Sequence, residues 1–231
     1  GVEIISTAGT LQVLQDAGLG DGVVNVISNA PADAAAIVER LIANPAVRRV
    51  NFTGSTHVGR IVGELSARHL KPALLELGGK APFLVLDDAD LDAAVEAAAF
   101  GAYFNQGQIC MSTERLIVDA RVADVFVSKL ASKIATLRAG NPNAAGSVLG
   151  SLVDAAAGER IRGLIDDALE KGARLVAGGQ IERSIMQPTL LDGVTPEMRL
   201  YREEPFGPAA VLLRGAGYGE LLRLANASAF G

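Results

Sequence analysis

The fold is decided by the stretch LELGGKAPFLVLDDADLDAAVEAAAFGAYFNQGQICMSTERLIV, which spans residues 75–118. Two apolar runs, at 73–77 and 82–86, flank the Gly78-Gly79 pair and are predicted strands, because two adjacent glycines let the backbone bend tightly. The same pair would let a ligand approach the backbone closely. We place a domain boundary in this turn.

A helix and a further strand follow the turn. Asp88 or Asp90 is the expected N-cap, since an aspartate side chain accepts hydrogen bonds from the free amides at a helix start. The helix ends before residues 105–108, which present Cys110, and the apolar run at 115–119 is the next strand. The stripe that the helix buries consists of Leu91, Val95, Ala98 and Ala102.

The flanking segments continue this alternation of strands and helices. Upstream, we predict a buried strand at 22–27, a helix from Pro31 to Ala43, a strand at 48–53 and a helix that ends near His69. Downstream, we predict helices at 121–137, 158–173 and 218–227 and strands at 174–179, 188–194 and 209–214. Such alternation indicates an α/β fold in which helices cover a parallel sheet.

Composition excludes several classes of protein. The 231 residues are 49% apolar and carry a net charge of −5 without a basic cluster, which argues against binding of nucleic acid or of an anionic membrane surface. A single cysteine excludes an internal disulfide, and with only two histidines no metal site is expected. No apolar run reaches the roughly 20 residues that a membrane span needs. We therefore expect a soluble, cytoplasmic protein.

Cys110 and Glu76 are the candidate catalytic residues. They lie 34 positions apart (110 − 76), each in a glycine-containing run beside apolar segments. A thiolate is a strong nucleophile and a carboxylate can act as a general base, provided that folding brings the two together. The alternative is structural, because a lone cysteine is most often an inert buried residue and a lone glutamate is usually solvated. The apolar neighbours Leu74, Leu75 and Leu77 predict that Glu76 is buried.

A second glycine turn lies in NFTGSTHVGR, residues 51–60, where it follows a predicted strand and opens a helix. Free backbone amides at a helix start form an anion site, so that Gly54 and Ser55 could hold a cofactor phosphate. The alternative is an ordinary N-cap by Ser55 or Thr56. The turn is neither a G-x-G-x-x-G fingerprint nor a phosphate-binding loop that ends in GK[ST].

Five motifs occur in order along the chain, namely NFTGSTHVGR (51–60), LELGGKAPFLVLDDADLD (75–92), FNQGQICMSTERLIV (104–118), PTLL (188–191) and REEPFGP (202–208). On these motifs the chain resembles the aldehyde dehydrogenase superfamily, whose order and spacing they match. The resemblance extends from about Ala17 to the end of the chain. LELGGK and GQIC together are enough to name the family.

The resemblance implies an α/β fold with the three-layer, parallel-sheet architecture of that family. Residues 1–78 would be the final part of a Rossmann-like NAD-binding domain, and residues 79–231 would be most of the catalytic domain, truncated at its C-terminus. Because residue 1 is glycine and family members are longer in both directions, we expect the chain to be a fragment. The family's oxyanion-holding asparagine and adenosine-binding lysine would then lie upstream of Gly1. The full-length form would be a homodimer or homotetramer.

The resemblance also assigns chemistry. Cys110 would attack an aldehyde to form a hemithioacetal, hydride would leave to NAD, with NADP as the alternative, and Glu76 would activate the water that hydrolyses the thioester. The run GQICMSTERLIV resembles the branch that oxidises aromatic aldehydes such as benzaldehyde, vanillin and salicylaldehyde. The expected cofactor contacts are Gly54, Ser55, Val58, Gly59, Leu77, Gly78, Glu204 and Phe206.

One residue departs from the family pattern. Pro205 stands where the family usually has a small or β-branched residue, and proline removes an N–H and restricts the backbone of Glu204. The alternative for Glu203 and Glu204 is a solvated acidic pair before a turn.

Two other functions remain open from the sequence. One is a cysteine hydrolase or acyl transferase that uses Cys110 and Glu76 without a cofactor, although such an enzyme needs neither the glycine turn at 51–60 nor REEPFGP. The other is a truncated chain that folds but does not turn over substrate. A Cys–His dyad with His57 or His69 is disfavoured, because neither lies in a matching motif and both are expected on helix surfaces.

Overall fold

The structure is a computed structural model that describes residues 12–13, 15–20 and 22–230. The chain divides into two compact units, Gly1–Glu76 and Leu77–Gly231, called the first and second unit below. Each unit has its own principal sheet. The division falls at Glu76 rather than at residue 78, and the assignment of the two parts as an NAD-binding and a catalytic domain stays a prediction.

In the first unit, two strands pair in parallel beside two helices. The elements are a 3₁₀ turn (Pro31–Asp33), α1 (Ala34–Ala43), β1 (Val50–Thr53), α2 (Thr56–Arg68) and β2 (Ala73–Glu76). Leu75 faces α2, because a Cβ on Gly63 of that helix would lie 3.5 Å from its side chain. These bounds agree with the predicted helices and strands from Pro31 onward.

The strand predicted at 22–27 is wrong. These residues form a turn followed by irregular backbone that pairs with no strand in the described part of the chain, and Val24 is the buried residue among them. Consecutive β-branched residues favour an extended backbone. A strand also needs a neighbour to satisfy its amides and carbonyls, and sequence alone does not supply one.

The second unit contains a five-stranded sheet, a short hairpin and five helices among its described residues. The sheet strands are β3 (Ala81–Val85), β4 (Thr113–Asp119), β5 (Arg174–Ala177), β8 (Thr189–Asp192) and β9 (Ala209–Gly215), and the hairpin is β6 (Ile181–Glu182) and β7 (Ile185–Met186). The helices are α3 (Leu91–Tyr103), α4 (Ala123–Ile134), α5 (Ala155–Glu170), α6 (Arg199–Arg202) and α7 (Gly217–Asn226), with a 3₁₀ turn at Phe104–Gly107.

The sheet order is β3-β4-β9-β8-β5. The first four strands run parallel, whereas β5 is antiparallel to β8. The expected parallel sheet is therefore correct for four strands, and the fifth makes the sheet mixed. The difference arises because the chain passes from β5 to β8 through the β6–β7 hairpin rather than through a crossover helix.

Helices cover both faces of this sheet. Successive residues of β4 point to opposite faces, so that Leu116 and Val118 pack with α3 and α4 while Ile117 packs with α5, α6 and α7. Apolar layers on both sides of the sheet confirm the three-layer α/β architecture. None of the helices in the described part of the chain is long and apolar enough to cross a lipid bilayer.

Helix boundaries follow the polar signals in the sequence. Asp90, one of the two predicted caps, accepts hydrogen bonds from the amides of Asp92 and Ala93 at 3.0 and 3.1 Å and begins α3. At the other end of a helix, Gly172 follows α5 with a φ of +97°, a backbone conformation that glycine adopts without strain.

A buried arginine joins β4 to the end of α7. Arg115 is 2% exposed, and its guanidinium donates to the carbonyls of Leu224 and Ala225 at 3.0 and 2.9 Å, which lie in the last turn of α7. Its Nε donates to the carbonyl of Lys80, just before β3, at 2.8 Å. A cation at a helix C-terminus also interacts favourably with the helix dipole. One side chain therefore satisfies carbonyls from two separate segments.

We expect Arg115→Met to lower the free energy of unfolding of the chain by about 3 kcal/mol, because one buried and two part-buried carbonyls lose their donor. Urea titration followed by circular dichroism measures the change. The control is Arg223→Met, whose 66% exposed side chain bonds only Glu220 within its helix and should change stability little. Equal effects of the two substitutions would show that Arg115 has no special structural role.

Candidate active site

The predicted phosphate turn of the first unit is an N-cap. Ser55 precedes α2, and its Oγ accepts a hydrogen bond from the amide of Val58 at 3.3 Å, while Gly59 donates to the Ser55 carbonyl at 2.8 Å. A Cβ on Gly54 would lie 2.5 Å from the tip of the Phe52 ring, so that the ring would have to shift. The structure thus places Gly54, Ser55, Val58 and Gly59 in one turn, and a role of that turn in cofactor binding stays a prediction.

Glu76 ends β2 in the first unit and is exposed, so the prediction that it is buried is wrong. The reason is the period of two in a strand, which puts Glu76 on the same face as Leu74 and opposite Leu75. Leu75 faces α2, whereas Leu74 is exposed. The leucine that shares a face with Glu76 is thus itself exposed and does not bury the carboxylate.

Cys110 lies in the second unit at the end of a left-handed loop. Asn105, Gln106 and Gly107 have φ angles of 50°, 57° and 64°, which turn the chain sharply after α3. Gly107 tolerates no side chain, because a Cβ would lie 2.3 Å from the Gly207 carbonyl oxygen. The thiol beyond this loop is exposed, which contradicts the alternative that Cys110 is an inert buried residue.

The side chain of Gln108 holds the same loop to a neighbouring segment. Its Oε1 accepts a hydrogen bond from the Val153 amide at 2.8 Å, and its Nε2 donates to the Ser151 carbonyl at 3.3 Å. Beyond it, the Ser112 amide donates to the Ile109 carbonyl at 3.0 Å and closes a turn around Cys110. The thiol is therefore exposed on a backbone fixed on both sides.

The glycine pair that opens the second unit lies against the Cys110 backbone. A Cβ on Gly79 would be 2.5 Å from the carbonyl oxygen of Cys110. Because that atom belongs to the backbone, it cannot rotate away as a side chain can. Gly79 was not among the predicted cofactor contacts. The signal that could have identified it was the double glycine in the sequence.

Glu204 is fixed at the other side of this pair. Its Oε1 accepts a hydrogen bond from the Gly79 amide at 3.2 Å, and a Cβ on Gly78 would lie 2.1 Å from its Oε2. Arg160 donates to the carbonyls of Glu204, at 3.1 Å, and of Pro205. The carboxylate is half-buried, and this burial raises the pKa of Glu204. The alternative of a solvated pair is wrong for Glu204, and Pro205 is compatible with a defined pose.

Three further residues of this region have clear positions. Glu203 pairs with Arg199 at 2.8 and 3.1 Å rather than with the glycine turn. Phe206 is partly exposed and has a φ of 46°, an uncommon conformation for a bulky residue that often marks a functional loop. Leu77, at the start of the unit, is half-buried.

Lys80 and Glu114 form a buried ion pair that the sequence did not predict. Lys80 Nζ lies 2.8 Å from Glu114 Oε2, and the two side chains are 1% and 4% exposed. Lys80 Nζ also donates to the Glu203 carbonyl at 2.8 Å. Burial raises the pKa of Glu114 to about 7, with the attraction of Lys80 acting in the opposite direction. Burial likewise lowers the pKa of Lys80.

Neither histidine lies in the unit that contains Cys110. His57 is in the first turn of α2 and His69 follows that helix, both in the first unit and both exposed, as expected. Among the described residues no group of three or more His, Cys, Asp or Glu side chains is arranged to hold a metal ion.

The chain matches the model of the Aldehyde dehydrogenase family over residues 3–231. It is 82% identical to a vanillin dehydrogenase of Pseudomonas fluorescens over 220 residues, which cover 95% of this chain and 46% of the relative. A salicylaldehyde dehydrogenase of Pseudomonas putida is 51% identical over 221 residues, again covering 95% of this chain and 46% of the relative.

A solved structure is also similar. The crystal structure of a salicylaldehyde dehydrogenase from Pseudomonas putida G7 complexed with salicylaldehyde superposes with a TM-score of 0.93 at 48% identity, over 96% of this chain and 46% of that one. The chain thus spans about half the length of the relatives that it matches. With a family model that covers nearly all of its residues, the chain belongs to the aldehyde dehydrogenase family.

Proposed function

We propose that a full-length protein carrying this chain oxidises an aromatic aldehyde to the carboxylic acid, with NAD as the hydride acceptor. The observation that carries the proposal is the exposed Cys110 thiol on a fixed loop, with the Gly79 turn against its backbone, in a chain of the aldehyde dehydrogenase family. NADP is the alternative acceptor.

Cys110 supplies the nucleophile. Its thiolate adds to the aldehyde carbon and gives a hemithioacetal, and loss of hydride from that carbon leaves a thioester on the Cys110 sulfur. Exposure leaves the thiol accessible to substrate, and the fixed backbone of its loop limits the positions that the thiol can take.

Glu76 is the proposed base for the second half of the reaction. Hydrolysis of a thioester needs a water molecule that loses its proton as it attacks, and a carboxylate can accept that proton. The assignment rests on the LELGGK motif and family membership. Exposure of Glu76 at the end of β2 leaves its oxygens open to water.

Residues in each unit fit a nicotinamide cofactor. In the second unit, the half-buried Glu204 carboxylate is held by the Gly79 amide and keeps further lone pairs that can accept from ribose hydroxyls. In the first unit, the start of α2 at Ser55 offers the positive end of a helix dipole to a pyrophosphate. When bound, the nicotinamide ring accepts the hydride.

Several observations support an aromatic substrate. The relatives described above are vanillin and salicylaldehyde dehydrogenases. In this chain, the rings of Phe100 and Phe104 stack with centroids 4.8 Å apart and are 65% and 55% exposed, shortly before the Cys110 loop. Met111 beside the thiol is exposed as well, and both residue types make favourable contacts with aromatic rings. Arg115, the nearest cation in the motif, is buried and bonded to carbonyls, so it offers nothing to a carboxylate tail.

A hydrolase that works without a cofactor has less support. It would give no role to the Glu204 carboxylate at the Gly78-Gly79 turn or to the glycine turn of residues 51–60, which contains Ser55. The homodimer or homotetramer and the cytoplasmic location of the full-length protein, both expected from the sequence, stay predictions that sedimentation and cell fractionation would test.

We expect Cys110→Ala to reduce aldehyde oxidation by the full-length protein by roughly 10⁴-fold or more, because the covalent route is lost. Binding of NAD, measured by calorimetry, should remain within about twofold of the unmodified protein. The control is Ser132→Ala on α4, which should keep full activity. Retained turnover in the Cys110 variant would reject this residue as the nucleophile.

We expect Glu76→Gln to slow steady-state turnover by roughly 10²- to 10³-fold while preserving a burst of reduced cofactor, because hydride leaves before the thioester is hydrolysed. Rapid-mixing absorbance measurements separate the two phases. Glu64→Gln, which changes an exposed glutamate on α2, is the matched control. Should the burst disappear together with turnover, Glu76 would act in an earlier step.

We expect kcat/KM for vanillin or salicylaldehyde to exceed that for succinate semialdehyde by about tenfold or more, because an exposed methionine, Met111, follows the thiol and the buried Arg115 offers no charge to a carboxylate tail. Initial rates of NADH formation with the full-length protein give the comparison, with benzaldehyde as an unsubstituted reference. A preference for the semialdehyde would reject the aromatic assignment and leave the roles of Cys110 and Glu76 unchanged.

A further inference from the structure

The buried Lys80–Glu114 pair connects three segments of the second unit. Lys80 follows the glycine pair, Glu114 lies in the second position of β4 four residues after Cys110, and the Lys80 ammonium also donates to the Glu203 carbonyl. The pair is therefore bonded to the residue that precedes Glu204.

These bonds fix the position of the Glu204 side chain. Glu204 reaches the Gly79 amide over 3.2 Å, and that amide is adjacent in sequence to Lys80. Lys80 in turn holds the carbonyl of Glu203, the residue that precedes Glu204. If the Lys80–Glu203 bond were lost, the 203–206 loop could move away from the glycine turn, and the Glu204 carboxylate would move with it.

Stability alone does not account for this arrangement. Removing two charges from water costs free energy that their mutual attraction seldom repays, and apolar side chains of similar size often replace a buried pair without loss. Arg115 already joins Lys80 to the end of α7 through the Lys80 carbonyl, without using the ammonium group. The ammonium, which is paired with the Glu114 carboxylate, instead contacts the loop that contains Glu204.

We propose that the Lys80–Glu114 pair is a positioning pair, which holds the Glu204 carboxylate at the glycine turn and thereby sets the affinity for the nicotinamide cofactor. This inference rests on the proposed function, in which Glu204 contacts the cofactor. Lys80 and Glu114 act through Glu204 and need not touch the cofactor themselves.

A double-mutant cycle on NAD binding by the full-length protein tests the proposal, with dissociation constants from calorimetry. Glu204→Gln and Glu114→Gln should each weaken NAD binding by roughly tenfold, and the combined variant should bind no more than about twofold more weakly than Glu204→Gln alone, because the two residues act as one unit. Glu96→Gln, which breaks the surface pair with Lys133, is the matched control and should leave affinity unchanged.

A second variant separates positioning from a purely structural role. Lys80→Met combined with Glu114→Leu removes both charges and keeps apolar volume, so the thermal unfolding temperature should be retained, whereas NAD binding should remain weakened by roughly tenfold. This variant also decides the matter if Glu114→Gln alone leaves Lys80 uncompensated and does not fold. Restoration of both stability and NAD affinity in it would overturn the proposal.

Additive losses in the cycle, or unchanged affinity in Glu114→Gln, would also overturn the positioning role while the proposed function stands. Failure of the unmodified full-length protein to bind NAD would overturn the proposed function, and the positioning role with it. The first failure would be seen in the variants and the second in the unmodified protein, so the two can be told apart.

Discussion

The close approach of the Gly78-Gly79 turn to two other segments is the constraint on which the candidate site of the second unit depends. Gly79 lies against the carbonyl of Cys110, and Gly78 lies against the carboxylate of Glu204. A Cβ on Gly79 would meet the backbone of the thiol-bearing loop, whereas a Cβ on Gly78 would require the Glu204 side chain to shift. The glycine pair thus allows both loops to approach the same turn closely.

The surrounding fold holds this turn in place. β3 begins two residues after Gly79 and pairs with β4, and the strand that follows Cys110 is β4 itself. The glycine turn and the Cys110 loop consequently lead into adjacent strands of one sheet. Arg115 adds a connection from β4 to the residue that precedes β3 and to the end of α7. A small displacement of any of these elements would change the distance between the thiol and Glu204.

Most of the fold could be predicted because its signals are local. The signals that mark a helix are the spacing of its apolar residues, an aspartate cap such as Asp90 and a terminal glycine such as Gly172. Each acts within about one helical turn, and the corresponding helices were predicted within a few residues. The errors concern partners. The run at 22–27 has strand composition without a neighbouring strand, and the antiparallel direction of β5 depends on the hairpin that follows it. Pairing is a property of distant residues, which a single sequence does not display.

The candidate site also contains residues with a local signal in the sequence and residues whose positions depend on distant partners. The single cysteine and the double glycine directed attention to Cys110 and to the glycine turn, and the family resemblance added Glu204 as a predicted cofactor contact. The Lys80–Glu114 pair was not found, since a lysine and a glutamate 34 positions apart show no signal that they meet in the interior. Glu76 shows the converse error, in which three adjacent leucines suggested burial but the alternation of the strand exposed the carboxylate. The positions of charged side chains depend on tertiary packing more than on neighbours in sequence.

The sequence distances within the site have a consequence for the order in which it is assembled. The bond from Gly79 to Glu204 spans 125 positions, and that from Lys80 to Glu203 spans 123. During synthesis the Cys110 segment leaves the ribosome well before the acidic loop, so that the bonds of Glu203 and Glu204 to the glycine turn form only after that late segment has emerged. Closing so long a loop is entropically costly until the sheet has formed. The placement of Glu204 at the glycine turn therefore requires most of the second unit to have been synthesised, and a nascent chain carries the Cys110 thiol before it carries this contact.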